Sequence, residues 1–90
     1  MSHLTSNADL VARVRRIAGQ VNGIEKALVD EAPCATVLHR IAAVRGAVNG
    51  LLDEVIASHL EEHVAAPGLT DAERRAGADE LLAVIRRYSK

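Results

Sequence analysis

The sequence is nearly without aromatic residues: among its 90 residues there is one tyrosine, Tyr88, and no phenylalanine or tryptophan. β-Sheets favour aromatic and β-branched side chains, whereas alanine, leucine, valine, arginine and glutamate dominate here, which predicts helices. The scarcity of aromatic rings also argues against a platform for stacking unpaired bases. The apolar fraction of 49% is enough for a packed core and argues against general disorder.

Cysteine is equally scarce, and long apolar runs are missing. The lone Cys34 excludes a disulfide within one chain and a zinc finger built on a cysteine pair. No run of about 18 apolar residues occurs, and the N-terminus lacks the apolar centre of a signal peptide, so neither a membrane span nor secretion is expected. We therefore expect a cytoplasmic protein that forms a single domain over residues 1–90.

Apolar residues recur at alternating steps of four and three in two long stretches, which predicts two amphipathic helices. The apolar positions are Leu10, Val14, Ile17, Val21, Ile24 and Leu28 in the first stretch, and Val37, Ile41, Val44, Val48, Leu51 and Val55 in the second. Pro33 separates the two stretches, and Pro67-Gly68 ends the second. A third, short helix is predicted after the segment Thr70-Asp71-Ala72-Glu73, which has the form of a capping box, with Gly77 as an interruption.

The second of these helices is too long for the rest of the chain to cover. It runs for about 30 residues, or roughly 45 Å, whereas a compact domain of this size has a radius of gyration of about 12 Å. We therefore predict an all-α protomer of three helices, in which a long antiparallel hairpin packs its exposed flank on a second copy.

Histidine and cysteine supply four candidate metal ligands, which are His3, Cys34, His59 and His63. His59 and His63 are four residues apart, so both imidazoles lie on one helix face within reach of one cation. The alternative for this pair is two solvated histidines near a helix end. His3 lies in an N-terminal tail that could fold over a site built on the pair.

Cys34 extends the same apolar seam, although it precedes His59 by 25 residues, roughly 37 Å along a straight helix. If the long helix pairs antiparallel with its copy, Cys34 of one subunit faces the histidine pair of the other, which predicts two identical Cys–His–His sites in a two-fold dimer. The alternative for Cys34 is a small buried apolar residue. One thiolate with several imidazoles suits Ni, Co, Zn or Cu(II).

Charge is unevenly distributed although the net charge is −1. Residues 1–45 contain six Lys and Arg against four Asp and Glu, and the rest of the chain contains five against eight. Arg13, Arg16 and Gln20 follow a helical spacing that we expect to form an exposed face away from the apolar seam. This face is either a solvated helix surface or a binding surface for nucleic-acid phosphates.

Three segments together resemble the CsoR/RcnR/FrmR family of small all-helical repressors, over residues 8–88. The segments are Arg13-Val-Arg-Arg-Ile-Ala-Gly-Gln20, then Pro33-Cys34 leading to Ile41-Ala-Ala-Val-Arg-Gly-Ala-Val-Asn-Gly50, and His59-Leu-Glu-Glu-His63. The resemblance implies a homotetramer, a dimer of dimers, that binds operator DNA and releases it when an inducer binds. The DNA-binding residues that it implies are Arg13, Arg16, Gln20 and Arg45.

The same resemblance narrows the inducer. Copper(I) sensors of the family carry cysteine where this chain has His63. Nickel and cobalt sensors use an N-terminal His, then Cys, His and His, which match His3, Cys34, His59 and His63, so Ni(II) or Co(II) is predicted, with Zn(II) as another candidate. Formaldehyde sensors react through the cysteine and an N-terminal amine, often of proline, where this chain has Ser2; a formaldehyde-responsive repressor is the alternative.

Two other classes of function place different demands on these residues. A helical metal carrier would use the same cysteine and histidines, but it would not need Arg13 and Arg16. An enzyme is not expected, because the chain has neither a nucleotide-binding loop nor a paired acidic site.

Overall fold

The computed structural model describes residues 7–88, which form three α-helices and, within that range, no strand. The helices are α1 (Asn7–Val29), α2 (Cys34–His63) and α3 (Asp71–Tyr88). The all-α class, the three-helix protomer and the 30-residue length of α2 are confirmed. Gly77 does not interrupt the third helix, which runs for 18 residues, so that expectation was wrong. In the described range no helix combines the length and the mean hydropathy needed to cross a membrane.

The chain divides into two compact units, and the border falls within α2 between Leu52 and Asp53. The described part of the first unit consists of α1 and residues 34–52 of α2. The described part of the second unit consists of residues 53–63 of α2, the following linker and α3.

The two helical segments of the first unit run antiparallel, as predicted. Nη1 of Arg13 lies 3.6 Å from the point where a Cβ on Gly50 would stand, and Nη1 of Arg40 lies 3.1 Å from the corresponding point on Gly23. Early residues of α1 therefore meet late residues of this segment of α2, and late residues of α1 meet early ones.

The face of α1 that packs on α2 differs from the predicted seam. It is formed by Leu10, Arg13, Ile17, Gln20, Ile24 and the buried Ala27. Val14 and Val21 belong to the predicted seam but are 50% and 47% exposed. Because successive residues turn by about 100° around a helix, the line through Leu10 and Ile17 has an apolar flank and a polar flank. Hydrophobicity alone favours the apolar flank, whereas in this chain it is the flank with Arg13 and Gln20 that meets α2.

The apolar flanks of both segments lie on the same side of the antiparallel pair. On α2, Ile41 and Val48 are 48% and 44% exposed, and each lies one turn away from the half-buried Val44. Together with Val14 and Val21 of α1 they form what we call the apolar side of the first unit. The opposite side of the pair, which carries Arg16, is called the basic side.

α1 ends in a Schellman motif. The amide of Ala32 donates to the carbonyl oxygen of Ala27 at 2.9 Å, and the amide of Glu31 donates to that of Leu28 at 3.2 Å. Glu31 takes the left-handed position with a φ of 55°, which is usually held by glycine. The reversal brings the chain to Pro33, directly before Cys34 at the start of α2.

α3 begins with the predicted capping box. The amide of Thr70 donates to Oε1 of Glu73 at 2.9 Å, and the amide of Glu73 donates to Oγ1 of Thr70 at 3.0 Å. The pKa of Glu73 lies below its ordinary value, because the carboxylate accepts a hydrogen bond from the backbone amide of Thr70 and, to a lesser extent, interacts with the Thr70 side chain.

The capping box makes the stability of the fold depend on pH. Because the pKa of Glu73 is depressed in the folded state, its carboxylate stabilises the fold above the ordinary pKa of 4.5, and this contribution is lost as the pH falls through the folded-state pKa. We expect the stability difference between the wild type and Glu73→Gln to shrink on acidification. Urea unfolding at a fixed chain concentration measures it, and a difference that stays constant from neutral to acidic pH would contradict the assignment.

Candidate metal centre and nucleic-acid interface

His59 and His63 lie together at the C-terminal end of α2. Their ring centroids are 4.8 Å apart, and the ring planes are inclined by 44°. Both side chains are half-buried. The spacing of four residues therefore brings two imidazoles side by side, as the sequence predicted.

A backbone carbonyl of α3 fixes the orientation of His59. Nε2 of His59 lies 2.8 Å from the carbonyl oxygen of Gly77. Since a carbonyl oxygen can only accept, Nε2 carries the proton in the neutral ring, and the lone pair is on Nδ1. Histidine ligands of metals commonly donate their second ring nitrogen to a carbonyl in this way, so His59 has the arrangement of a ligand that binds through Nδ1.

Gly77 allows α3 to approach the end of α2 at this point. The residue is buried, and a Cβ built on it would lie 2.8 Å from Cβ of His63 and still closer to the carbonyl oxygen of His63. A side chain of any size would therefore push the two helices apart. The glycine that was expected to interrupt α3 instead brings α3 against the histidine pair.

Arg74 holds the linker that follows His63. Its guanidinium group donates to the carbonyl oxygens of Val64, Ala66 and Leu69, the last two at 3.4 Å.

The sequence pattern did not indicate a role for Arg74 or for the carbonyl of Gly77. Gly77 could have been noticed, because a glycine inside a helix lowers helix stability by about 1 kcal/mol relative to alanine. Such a glycine therefore suggests a close packing contact. Nothing in the pattern distinguished Arg74 from the other arginines of α3.

Cys34 belongs to the first unit and the histidine pair to the second. Cys34 is the first residue of α2, and its side chain is exposed with a free thiol. His3 lies outside the described residues. Within residues 7–88, no three side chains of His, Cys, Asp and Glu are grouped to hold a metal ion.

The four DNA-binding candidates occupy two sides of the first unit. Arg13, Arg16 and Gln20 line a groove of about 100 Å³ between α1 and α2, together with Ile17 and Ala47. Arg16 is exposed, but Arg13 and Gln20 are half-buried against α2, so the expectation of a common exposed face was wrong for these two. The physical reason is that α1 packs on α2 with the flank that carries Arg13 and Gln20 rather than with its apolar flank. Oε1 of Gln20 is buried and accepts no hydrogen bond within the described residues.

Arg45 lies apart from this groove. It is exposed and stands one turn from Ile41 and Val48, so it is on the apolar side of the first unit. The structure therefore brings three of the four candidates together and separates the fourth.

Comparisons with known proteins place the chain among bacterial regulators. Residues 6–87 match the model of a family described as metal-sensitive transcriptional repressor. The chain belongs to this family. The transcriptional repressor RcnR of Salmonella arizonae is 45% identical over the full length of both proteins, and an uncharacterized protein from the bioA 5′ region of Serratia marcescens is 46% identical over the same extent.

A solved structure supports the same assignment. The chain matches a glutamate-to-histidine variant of the formaldehyde-responsive regulator FrmR from Salmonella enterica serovar Typhimurium with a TM-score of 0.84 and 41% identity. The match covers 90% of this chain and 91% of that one. The predicted resemblance to the CsoR/RcnR/FrmR family is confirmed, and the family consists of transcriptional repressors rather than enzymes.

The contact between Gly77 and the histidine pair predicts the effect of a single methyl group. We expect Gly77→Ala to lower the free energy of unfolding by about 1–3 kcal/mol, because the added Cβ collides with the backbone of His63. Displacement of the Gly77 carbonyl from Nε2 of His59 should also weaken any metal binding at the histidine pair about 10–100-fold, with Ni(II) as the probe. Urea unfolding and calorimetric titration measure the two effects.

Gly46→Ala is the matched control. A Cβ on Gly46 meets nothing within 4 Å, so this variant should gain up to about 1 kcal/mol from helix propensity and keep the metal affinity of the wild type. Wild-type stability and Ni(II) affinity in Gly77→Ala would show that the helices do not meet as described.

Proposed function

We propose that this protein is a DNA-binding repressor that leaves its operator when Ni(II) or Co(II) binds at a Cys/His site shared between two subunits. The observation that carries the proposal is the histidine pair, with the rings of His59 and His63 4.8 Å apart and His59 hydrogen-bonded through Nε2 to Gly77. Membership of a metal-sensitive repressor family supports a metal inducer in general.

The choice of metal depends on the set of donors. His59 and His63 provide two imidazoles, Cys34 provides a thiolate, and His3 provides a third imidazole. Imidazole with a single thiolate suits borderline ions, so Ni(II) and Co(II) fit, and Zn(II) is the competitor. Copper(I) sites are richer in sulfur, and this chain has no second cysteine.

Completion of the site requires a second copy of the chain. Cys34 precedes His59 by 25 residues in one helix, which corresponds to roughly 37 Å along a straight axis. An antiparallel arrangement of two α2 helices brings Cys34 of each subunit to the histidines of the other. A two-fold dimer then has two identical sites, and two such dimers form the proposed homotetramer.

The apolar side of the first unit is the proposed surface for that second copy. Val14, Val21, Ile41 and Val48 are each between 44% and 50% exposed in the single chain. Contiguous apolar surface of this kind typically marks an interface, since leaving it in water is unfavourable. Arg45 would then lie at the edge of the interface as well as being a candidate for DNA contact.

DNA binding is assigned to the basic side. Arg16 is exposed there, and Arg13 and Gln20 line the adjacent groove. A tetramer presents four copies of this groove, so phosphate contacts would add up to a strongly salt-dependent affinity for duplex DNA. Metal binding and DNA binding are then coupled reciprocally: a metal that weakens DNA binding is itself bound more weakly by the DNA complex.

Formaldehyde is the second candidate inducer. It is favoured by the likeness to the formaldehyde-responsive regulator at 41% identity and by the exposed thiol of Cys34. This sensing mode uses Cys34 and the N-terminal amine, and it does not need the histidine pair. If formaldehyde is the inducer, His59→Ala should therefore still release DNA when formaldehyde is added. If a metal is the inducer, the same variant should no longer release DNA when the metal is added.

Replacement of Cys34 by alanine tests the proposed switch. The wild type should lose about 5–150-fold in affinity for DNA from its own promoter region when Ni(II) or Co(II) is added. Cys34→Ala should bind that DNA as the wild type does but respond weakly or not at all to metal, because the thiolate is removed and the DNA-binding surface is not. Fluorescence anisotropy with and without metal measures both effects.

Arg16→Gln provides the opposite control. It should weaken DNA binding while leaving the metal titration of the free protein unchanged, because Arg16 lies in the first unit and the histidine pair in the second. A Cys34→Ala protein that still releases DNA normally with Ni(II) or Co(II) would overturn the proposed role of the cysteine.

A further inference from the structure

A second groove lies on the first unit and continues the one that contains Arg16. It has a volume of about 320 Å³, and its charged lining residues are Lys26, Asp30 and Arg40. Gly23 and Thr36 also line this groove. Lys26 and Arg40 are both exposed.

The spacing of residues along α1 shows that the two grooves form one surface. Gly23 in the second groove follows Arg16 in the first by seven residues, and Ala27 follows Gln20 by seven, so each pair lies on one line along the helix. Arg16 and Lys26 are ten residues apart, or about 15 Å along the axis. That length equals the axial rise of about four base pairs of duplex DNA, so the two cations can reach different phosphates.

Arg40 reaches across the second groove from α2 to α1. Its Nη1 atom lies 3.1 Å from the point where a Cβ on Gly23 would stand, so a side chain at position 23 would crowd the guanidinium group. The absence of that side chain lets a charge from α2 stand beside the charges of α1.

The ion pair Arg75–Asp79 lies on α3 and includes neither Lys26 nor Arg40. Asp30 lines the same groove, but the balance of charge on this side remains positive, with Arg13, Arg16, Lys26 and Arg40 around the two grooves. Lys26 in the last turn of α1 also stabilises the helix end, an effect that does not apply to Arg40.

We propose that Lys26 and Arg40 contact the phosphate backbone of duplex DNA and extend the interface of Arg13 and Arg16 along the whole basic side. The inference rests on the proposed DNA-binding function and adds two residues that neither the sequence pattern nor the family resemblance assigned. Contacts of this kind position the protein on DNA without reading its sequence.

The test is the salt dependence of binding to a short mixed-sequence DNA duplex. Lys26→Gln and Arg40→Gln should each bind more weakly than the wild type and reduce the slope of log K against log salt by about 1 for every copy of the chain that contacts the duplex. Arg40→Lys should largely restore the slope, because it keeps the charge while losing the guanidinium group. Circular dichroism of each variant confirms that it is folded as the wild type.

Arg86→Gln is the charge-matched control, since it removes one exposed cation from α3. Its slope should equal that of the wild type. Wild-type slopes in Lys26→Gln and Arg40→Gln, combined with a reduced slope in Arg16→Gln, would overturn this inference and leave the proposed function standing. A wild-type protein that binds no duplex at any salt concentration would overturn both.

Discussion

The close contact between Gly77 of α3 and His63 of α2 is the constraint on which the candidate metal site depends. Because no Cβ stands between the helices, the carbonyl of Gly77 reaches Nε2 of His59 and determines which ring nitrogen carries the lone pair. The capping box fixes where α3 begins, and Arg74 ties the preceding linker to α3. Each of these features acts on the same short stretch of chain, so backbone packing orients His59.

The first unit separates two kinds of surface on its two sides. The rotation of α1 places Arg13 and Gln20 against α2 and leaves Val14 and Val21 exposed on the other side. An apolar side suits a second copy of the chain, and a basic side suits phosphate, so the hairpin offers separate surfaces for the proposed assembly and for most of the proposed DNA contacts, with Arg45 as the candidate that stands on the apolar side. For a metal to couple the two, it must change how the copies are held together, which is why a site shared between subunits is central to the proposal.

Most of the fold was predictable because it depends on features that act locally. The steps of four and three, the two prolines and the capping box gave three helices and a 30-residue α2, and they placed His59 beside His63. The flank of α1 that packs on α2 was not predictable. Hydrophobicity favours the flank with Val14 and Val21, whereas in the single chain the flank with Arg13 and Gln20 packs on α2. The role of Gly77 was missed for a related reason: a glycine inside a helix signals either a break or a close contact, and only the position of the neighbouring helix distinguishes them.

The most direct test of the account is complementation between two inactive chains. Cys34→Ala lacks the thiolate, and the double variant His59→Ala/His63→Ala lacks the imidazoles, so neither alone should show the thiolate-to-Co(II) absorption of the wild type. If the site is shared between subunits, a mixture that has exchanged subunits contains heterodimers with one intact site, and about a quarter of the wild-type absorption should return. A mixture that remains without this absorption after verified subunit exchange would contradict the shared site.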